Sequence, residues 1–187
     1  MRLRRDGCRA TAQWSGAPPA RSRGPGNAEL RLQAHQWRTA QRKRFTILAA
    51  HFYPDITHAL VQGAVRVLEQ HGVPRRQIQE VDVPGTFELP LVASRVAQHR
   101  PRPHAIIAVG ALVRGDTPQY EVIAHAVGQG LMRVALEAGI PVTFGVIIAT
   151  TLAQAHARAG GALGNRGAEA AQAAVELVRL FETLGRR

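Results

Sequence analysis

Residues 45–50, 77–83, 105–109 and 142–149 read as four strands, and the first, third and fourth of these are near-continuous apolar runs of the kind buried on both faces of a sheet. Helical spacing fills the stretches between and after them: 56–71, 87–99, 118–138, 152–159 and 167–184. In the first of these helices Leu60, Val61, Ala64, Val67 and Leu68 share one face. In the third, Val122, Ile123, Ala126, Val127, Gly130, Leu131 and Val134 are expected inward. Gly72 supplies one helix stop, the Arg-Pro-Arg-Pro at 100–103 a second, and Gly139 with Pro141 a third. Strand and helix alternate, so the expected architecture is α/β, a parallel sheet covered on both faces. In such sheets ligands bind beyond the carboxyl ends of the strands.

The segment that organises this pattern is AIIAVGALVRGDTPQY, residues 105–120. A buried strand runs through Gly110 to a polar turn at Gly115, and the turn opens a helix. Unpaired N–H groups and the positive end of the helix dipole make such a junction suitable for an anion. Gly115 permits close backbone approach, Thr117 adds a hydroxyl, and Pro118 suits a first helical turn. Capping alone accounts for the same residue types. The other strand ends contribute His51, Phe52 and Tyr53; Gly85, Thr86, Phe87 and Glu88; and Thr150 and Thr151. An aromatic ring, a carboxylate, a phosphate-type turn and several hydroxyls suit a planar, polar, phosphate-bearing substrate better than a polymer.

The net charge of +11 suggests nucleic acid until it is located. Residues 1–44 carry 11 of the 24 basic side chains and two acids, Asp6 and Glu29, so the basicity belongs to the N-terminal stretch. Residues 1–43 mix Arg, Gly, Pro, Ser and Ala without a sustained period; they are expected to be a disordered extension, with a short helix near 28–41, ahead of a domain at 44–187. A nucleic-acid arm, a targeting peptide and an inert extension all fit that composition. Cys8, the single cysteine, excludes an internal disulfide, and no apolar run approaches the roughly 20 residues of a membrane span. His71, His99 and His125 are expected in surface or capping roles.

Four motifs stand in register: VPGTFELP at 83–90, VGALVRGDTPQYE at 109–121, PVTFGV at 141–146 and RAGGALGNRGAEAA at 158–171. Together they resemble those of the lumazine synthase family, over about residues 44–184. The resemblance implies a flavodoxin-like three-layer sandwich, a homopentamer with sites shared between subunits, and in some members a 60-subunit shell. It also implies a cytoplasmic reaction on a ribitylaminouracil and a butanone phosphate, with no cofactor or metal, no membrane, and nucleic acid not expected. Phe52 would stack on the pyrimidine, flanked by Tyr53. Thr86, Phe87, Glu88, Ala111, Leu112 and Val113 would hold the ring and the ribityl hydroxyls. Gly115, Asp116 and Thr117 would form the phosphate turn, with the Asp116 carboxylate pointing outward. Arg158 would clasp the phosphate, Phe144 would come from a neighbouring subunit, and Arg166 would reach the ribityl end. Gln119 takes the position of the family's proton-transferring histidine, Tyr53 that of its usual asparagine, and Ala162 that of a common lysine. A glutamine cannot exchange protons near neutral pH, so a non-catalytic paralogue that binds flavin-like or phosphate ligands is the alternative reading.

Overall fold

A computed structural model describes residues 39–185. Four parallel strands, β1 (Phe45–Ala50), β2 (Ile78–Val83), β3 (Ala105–Val113) and β4 (Val142–Ala149), form one sheet in the order β2-β1-β3-β4. Helices α1 (Pro54–Gln70) and α5 (Arg166–Leu184) cover one face, with α4 (Leu152–Arg158) at its margin. Helices α2 (Leu89–Gln98) and α3 (Gln119–Ala138) cover the other. A small antiparallel pair, β5 (Ala159–Gly161) and β6 (Gly164–Asn165), joins α4 to α5. This is the expected α/β, flavodoxin-like sandwich.

The period-two geometry of a strand sends alternate side chains to opposite layers. Ile47, Ala49, Ile107 and Val109 pack toward α1 and α5, whereas Leu48, Ala50, Ile106 and Ala108 pack toward α2 and α3. Both sets are buried, which is why β1 and β3 appear in the sequence as unbroken apolar runs.

Several elements differ from the expectation. Strand β3 continues to Val113 because it stays in register with β4 as far as the Val113 and Ala149 pair. The inner stripe of α3 is Ala124, Val127, Leu131 and Val134, with Tyr120 and Ile123 partly buried against the same core; Val122 and Ala126 are exposed, because they lie on the opposite face of the helix. Strand β4 is an edge strand with Phe144 and Ile148 38% and 49% exposed, not a fully buried one. Ala40 is buried and Lys43 pairs with Glu182 at 2.5 Å, so packing begins upstream of Arg44. Most of the helix expected near 28–41 lies outside the described residues; at its end Ala40–Arg42 form a 3₁₀ turn.

His71 does end α1, yet it is buried and not at the surface. Arg179 Nη2 donates to its Nδ1 (3.2 Å), so Nε2 carries the hydrogen and donates to Gln172 Oε1 (2.7 Å). His99 and His125 are exposed, as expected. Helices α1 and α5 cross at very close range. Asn165 caps α5 by accepting from the Ala168 N–H (2.9 Å) and donates to the carbonyls of Ala59 (2.8 Å) and Ala159 (3.2 Å). Gly63 leaves the space that the Asn165 side chain fills, since a Cβ there would come within 2.3 Å of Asn165 Oδ1.

Two outcomes are expected. A Cβ at Gly167 would lie 2.1 Å from the Leu60 carbonyl oxygen, so Gly167→Ala should cost about 3 kcal/mol despite alanine's better helix propensity. Denaturant unfolding at fixed protein concentration measures it, and an unchanged midpoint would refute the crossing as a constraint. The second outcome concerns pH. Burial lowers His71 from its ordinary value of 6.5, with Arg179 adding to the effect; burial also lowers His104, with Lys43 and Arg44 adding to it. The stability that comes from holding both rings neutral is complete above pH 6.5 and is lost progressively as pH falls through the lowered folded-state values. The melting temperature should therefore drop on acidification through this window, and the double variant His71→Gln, His104→Gln should flatten that drop.

Candidate active site

Beyond the carboxyl ends of β2, β1 and β3, on the side of α2 and α3, lies a cavity of about 720 Å³. Phe52 and Tyr53 line it after β1, Gly85 to Glu88 after β2, and Ala111 to Val113 at the end of β3. Gly115, Thr117, Gln119 and Tyr120 close it from the turn into α3, and Val122 and Ile123 complete the wall.

Each wall has a local cause. The Thr57 hydroxyl donates to the Ala50 carbonyl (2.6 Å) and fixes the turn between β1 and α1, which holds out Phe52, 71% exposed, with the Tyr53 ring edge-on to it at 5.0 Å. A post-strand Phe at this exposure is not a core residue. Gly110 lets β3 pass Ala50 and Thr86; a Cβ there would come within 2.8 Å of the Ala50 Cβ and 3.0 Å of the Thr86 Cγ2. The Thr86 methyl therefore faces the strand. Glu88 sits at the N-cap of α2 but makes no side-chain cap. Its carboxylate folds over Gly85, where a Cβ would stand 2.8 Å from Oε2, so neither capping nor an ion pair consumes it.

Pro118 is the N-cap of the 20-residue α3, and no side chain caps that end. The helix begins at Gln119; the Glu121 N–H bonds back to the Pro118 carbonyl (3.0 Å), and the positive end of the dipole lies at the cavity wall that Gln119 and Tyr120 line. A Cβ at Gly115 would meet no atom within 4 Å; the backbone there is open to an approaching group. The Tyr120 hydroxyl donates to Glu121 Oε1 (2.7 Å), and this bond raises the phenol above its ordinary value of 10.

The remaining sequence-derived candidates lie elsewhere. Asp116 is exposed at the turn and does not line the cavity. Phe144 is on the outer strand β4, and Arg158 ends α4. Arg166 begins α5 and pairs with Glu169 at 2.6 Å. None of these three reaches this cavity. His51 Nε2 lies 2.8 Å from Asp82 Oδ1, and His51 is likewise not among the lining residues. Thr150 donates to Gln154 Oε1, and Thr151 caps α4. Val122 was expected in the core and is exposed in the wall; Ile123, also expected inward, packs partly buried against the core while lining the cavity. Among the described residues no three His, Cys, Asp or Glu side chains gather into a metal site, and no helix is long and apolar enough to cross a membrane.

The family model of 6,7-dimethyl-8-ribityllumazine synthase matches residues 42–182. The chain belongs to the lumazine synthase family. Proteins of that name from Stenotrophomonas maltophilia and Thermus thermophilus are 45% and 42% identical to it, each alignment covering 79% of this chain and 94% of the relative. A third, from Nitratidesulfovibrio vulgaris, is 43% identical over 75% of this chain and 90% of its own length. All three segments that shape the cavity, 52–53, 85–88 and 111–120, fall inside the region that the lumazine synthase model matches.

Gly110 is the position where cavity and core meet. Gly110→Ala should lower stability by about 1 to 3 kcal/mol and displace Thr86. Thermal unfolding together with a crystal structure of the variant would check both effects; an unmoved Thr86 at full stability would show that the sheet yields there without strain.

Proposed function

We propose that the protein condenses 5-amino-6-(D-ribitylamino)uracil with 3,4-dihydroxy-2-butanone 4-phosphate to 6,7-dimethyl-8-ribityllumazine, releasing phosphate and water, as a step of riboflavin biosynthesis. The observation that carries this reading is that Phe52, Glu88 and the turn into α3 meet on one cavity in a chain of this family. In this reading the exposed ring of Phe52 stacks on the pyrimidine, and Glu88 accepts from ribityl hydroxyls. Thr86, Phe87 and residues 111–113 frame the ring. The amides of the Gly115–Thr117 turn and the uncapped start of α3 receive the phosphate. The reacting amine then attacks the ketone, water leaves to give an imine, phosphate is eliminated, and ring closure follows. Holding both substrates in this geometry supplies much of the acceleration, since orientation alone contributes about 7 to 11 kcal/mol in favourable cases.

We place the site at a subunit boundary. Leu91, Val122, Met132 and Leu136 are large apolar side chains exposed on α2 and α3, the kind of surface that a protein partner covers. A homopentamer would cover it and bring Phe144, Arg158 and Arg166 of a neighbour toward the cavity, where the Arg158 guanidinium would hold the phosphate by two parallel hydrogen bonds. The setting is cytoplasmic in this reading, and the N-terminal extension precedes a catalytic domain whose packing already includes Ala40.

Gln119 supplies the decisive test. In a single-turnover assay with both substrates, wild type should exceed a no-protein control, and Gln119→His should be faster by about 10² or more. If wild type matches the control while the histidine variant turns over, the protein binds ligands without catalysis and the proposal fails.

A further inference from the structure

The cavity has apolar and aromatic surface in quantity but few groups that exchange protons: of the side chains lining it, Tyr53, Glu88 and Tyr120 are titratable, and none is an imidazole. Condensation of an amine with a ketone nevertheless moves protons from nitrogen to oxygen twice. At the start of α3 the Tyr120 hydroxyl donates to Glu121 Oε1 at 2.7 Å. Consecutive residues of a helix ordinarily point about 100° apart. Here the two side chains converge, which links a residue of the cavity wall to a carboxylate at the surface. The other charged groups do not compete for that bond. His125 is held on the Glu121 backbone carbonyl (2.8 Å), not on the carboxylate. Glu88 lies over Gly85, and Arg114, which opposes the upward shift of the phenol, is outweighed by the bond to Glu121. Tyr120 therefore enters the reaction with its proton in place.

From this arrangement we infer that Tyr120 and Glu121 form the proton relay of the site, with Tyr120 the catalytic residue at the reacting amine and Glu121 the positioning residue that stores the proton. The inference rests on the synthase reading above. As the amine attacks, the C–N bond forms and the carbonyl π pair becomes an alkoxide. The ammonium proton passes to the Tyr120 oxygen while the phenolic proton moves to Glu121, and a proton returns by the same path to the alkoxide. Dehydration repeats the exchange: nitrogen gives up its remaining proton, the carbinol oxygen gains one, the C–O bond breaks, and the C=N bond forms as water leaves. The relay ends each step in the state in which it began.

Single-turnover rates and substrate dissociation constants of the full-length wild type, Tyr120→Phe, Glu121→Gln and the double variant test this. Each single variant should be slower by about 10² with its substrate affinity retained, and the double variant no slower than the worse single. Gln119→His introduced into Tyr120→Phe should recover rate, which a merely distorted helix start would not allow. Variants at wild-type rate, or slowed in proportion to lost substrate affinity, overturn the relay while wild-type turnover keeps the synthase reading. A wild type that forms no lumazine overturns both.

Discussion

The crossing of α1 and α5 is the constraint on which the rest of this molecule depends. Gly167 brings the start of α5 against the Leu60 carbonyl, and Gly63 opens the space that Asn165 occupies. One amide side chain then serves three segments: it caps α5, and it donates to the carbonyl of Ala159, the first residue of β5, and to a carbonyl inside α1. Each such bond contributes about 1 kcal/mol net, but leaving those partners buried and unpaired costs more. Arg158 and Arg166 stand at either end of the hairpin that this amide anchors. Two glycines and an asparagine with no place in the cavity thus decide where both guanidinium groups project.

The opposite layer uses the same device. A Cβ at Gly130 would come within 2.8 Å of Pro90, so α2 and α3 also cross at a missing side chain, and Gly110 does the equivalent between the sheet and Thr86. Small residues at crossing points let the layers approach closely. The cavity lies beyond the strand ends, and Val122 and Ile123 in the first turns of α3 form part of its apolar wall.

Strands β1 and β3 were legible because both of their faces are buried, which leaves a continuous apolar run that composition alone reveals. The strand-end segments were legible as site candidates because a parallel sheet gathers its carboxyl ends on one edge. What the sequence hid was relational. Helical spacing at 122, 123 and 126 identifies a helix but not which of its faces meets the sheet. The apolar composition of β4 suggests a central strand, and only the strand order makes it an edge with Phe144 exposed. His71 was readable as a helix end, but its burial depends on Gln172 and Arg179, about a hundred residues further along the chain. Phe144, Arg158 and Arg166 came from family resemblance, and one protomer does not bring them to the cavity, because their positions lie on the other side of the sheet or at its outer edge.

That separation has an electrostatic consequence. Among the described residues neither Arg nor Lys lines the cavity, and its carboxylate, Glu88, carries the wrong sign for an anion. Within one protomer the favourable fields at the Gly115–Thr117 turn are the uncapped start of α3, equivalent to roughly half a positive charge, and Arg114 beside the turn, whose charge acts on the Tyr120 phenol. A phosphate monoester carries between one and two negative charges near neutral pH, so the helix end compensates a fraction of what it would have to hold. Gln119, neutral at the first helical position, neither adds to that field nor opposes it. Under the proposed function a cation that lines the cavity itself would arrive from outside the protomer. An arginine on the neighbour's α4 is the group that the subunit-boundary arrangement would supply. Phosphate affinity and ring assembly would then be linked, each favouring the other, because the same guanidinium serves both the interface and the ligand.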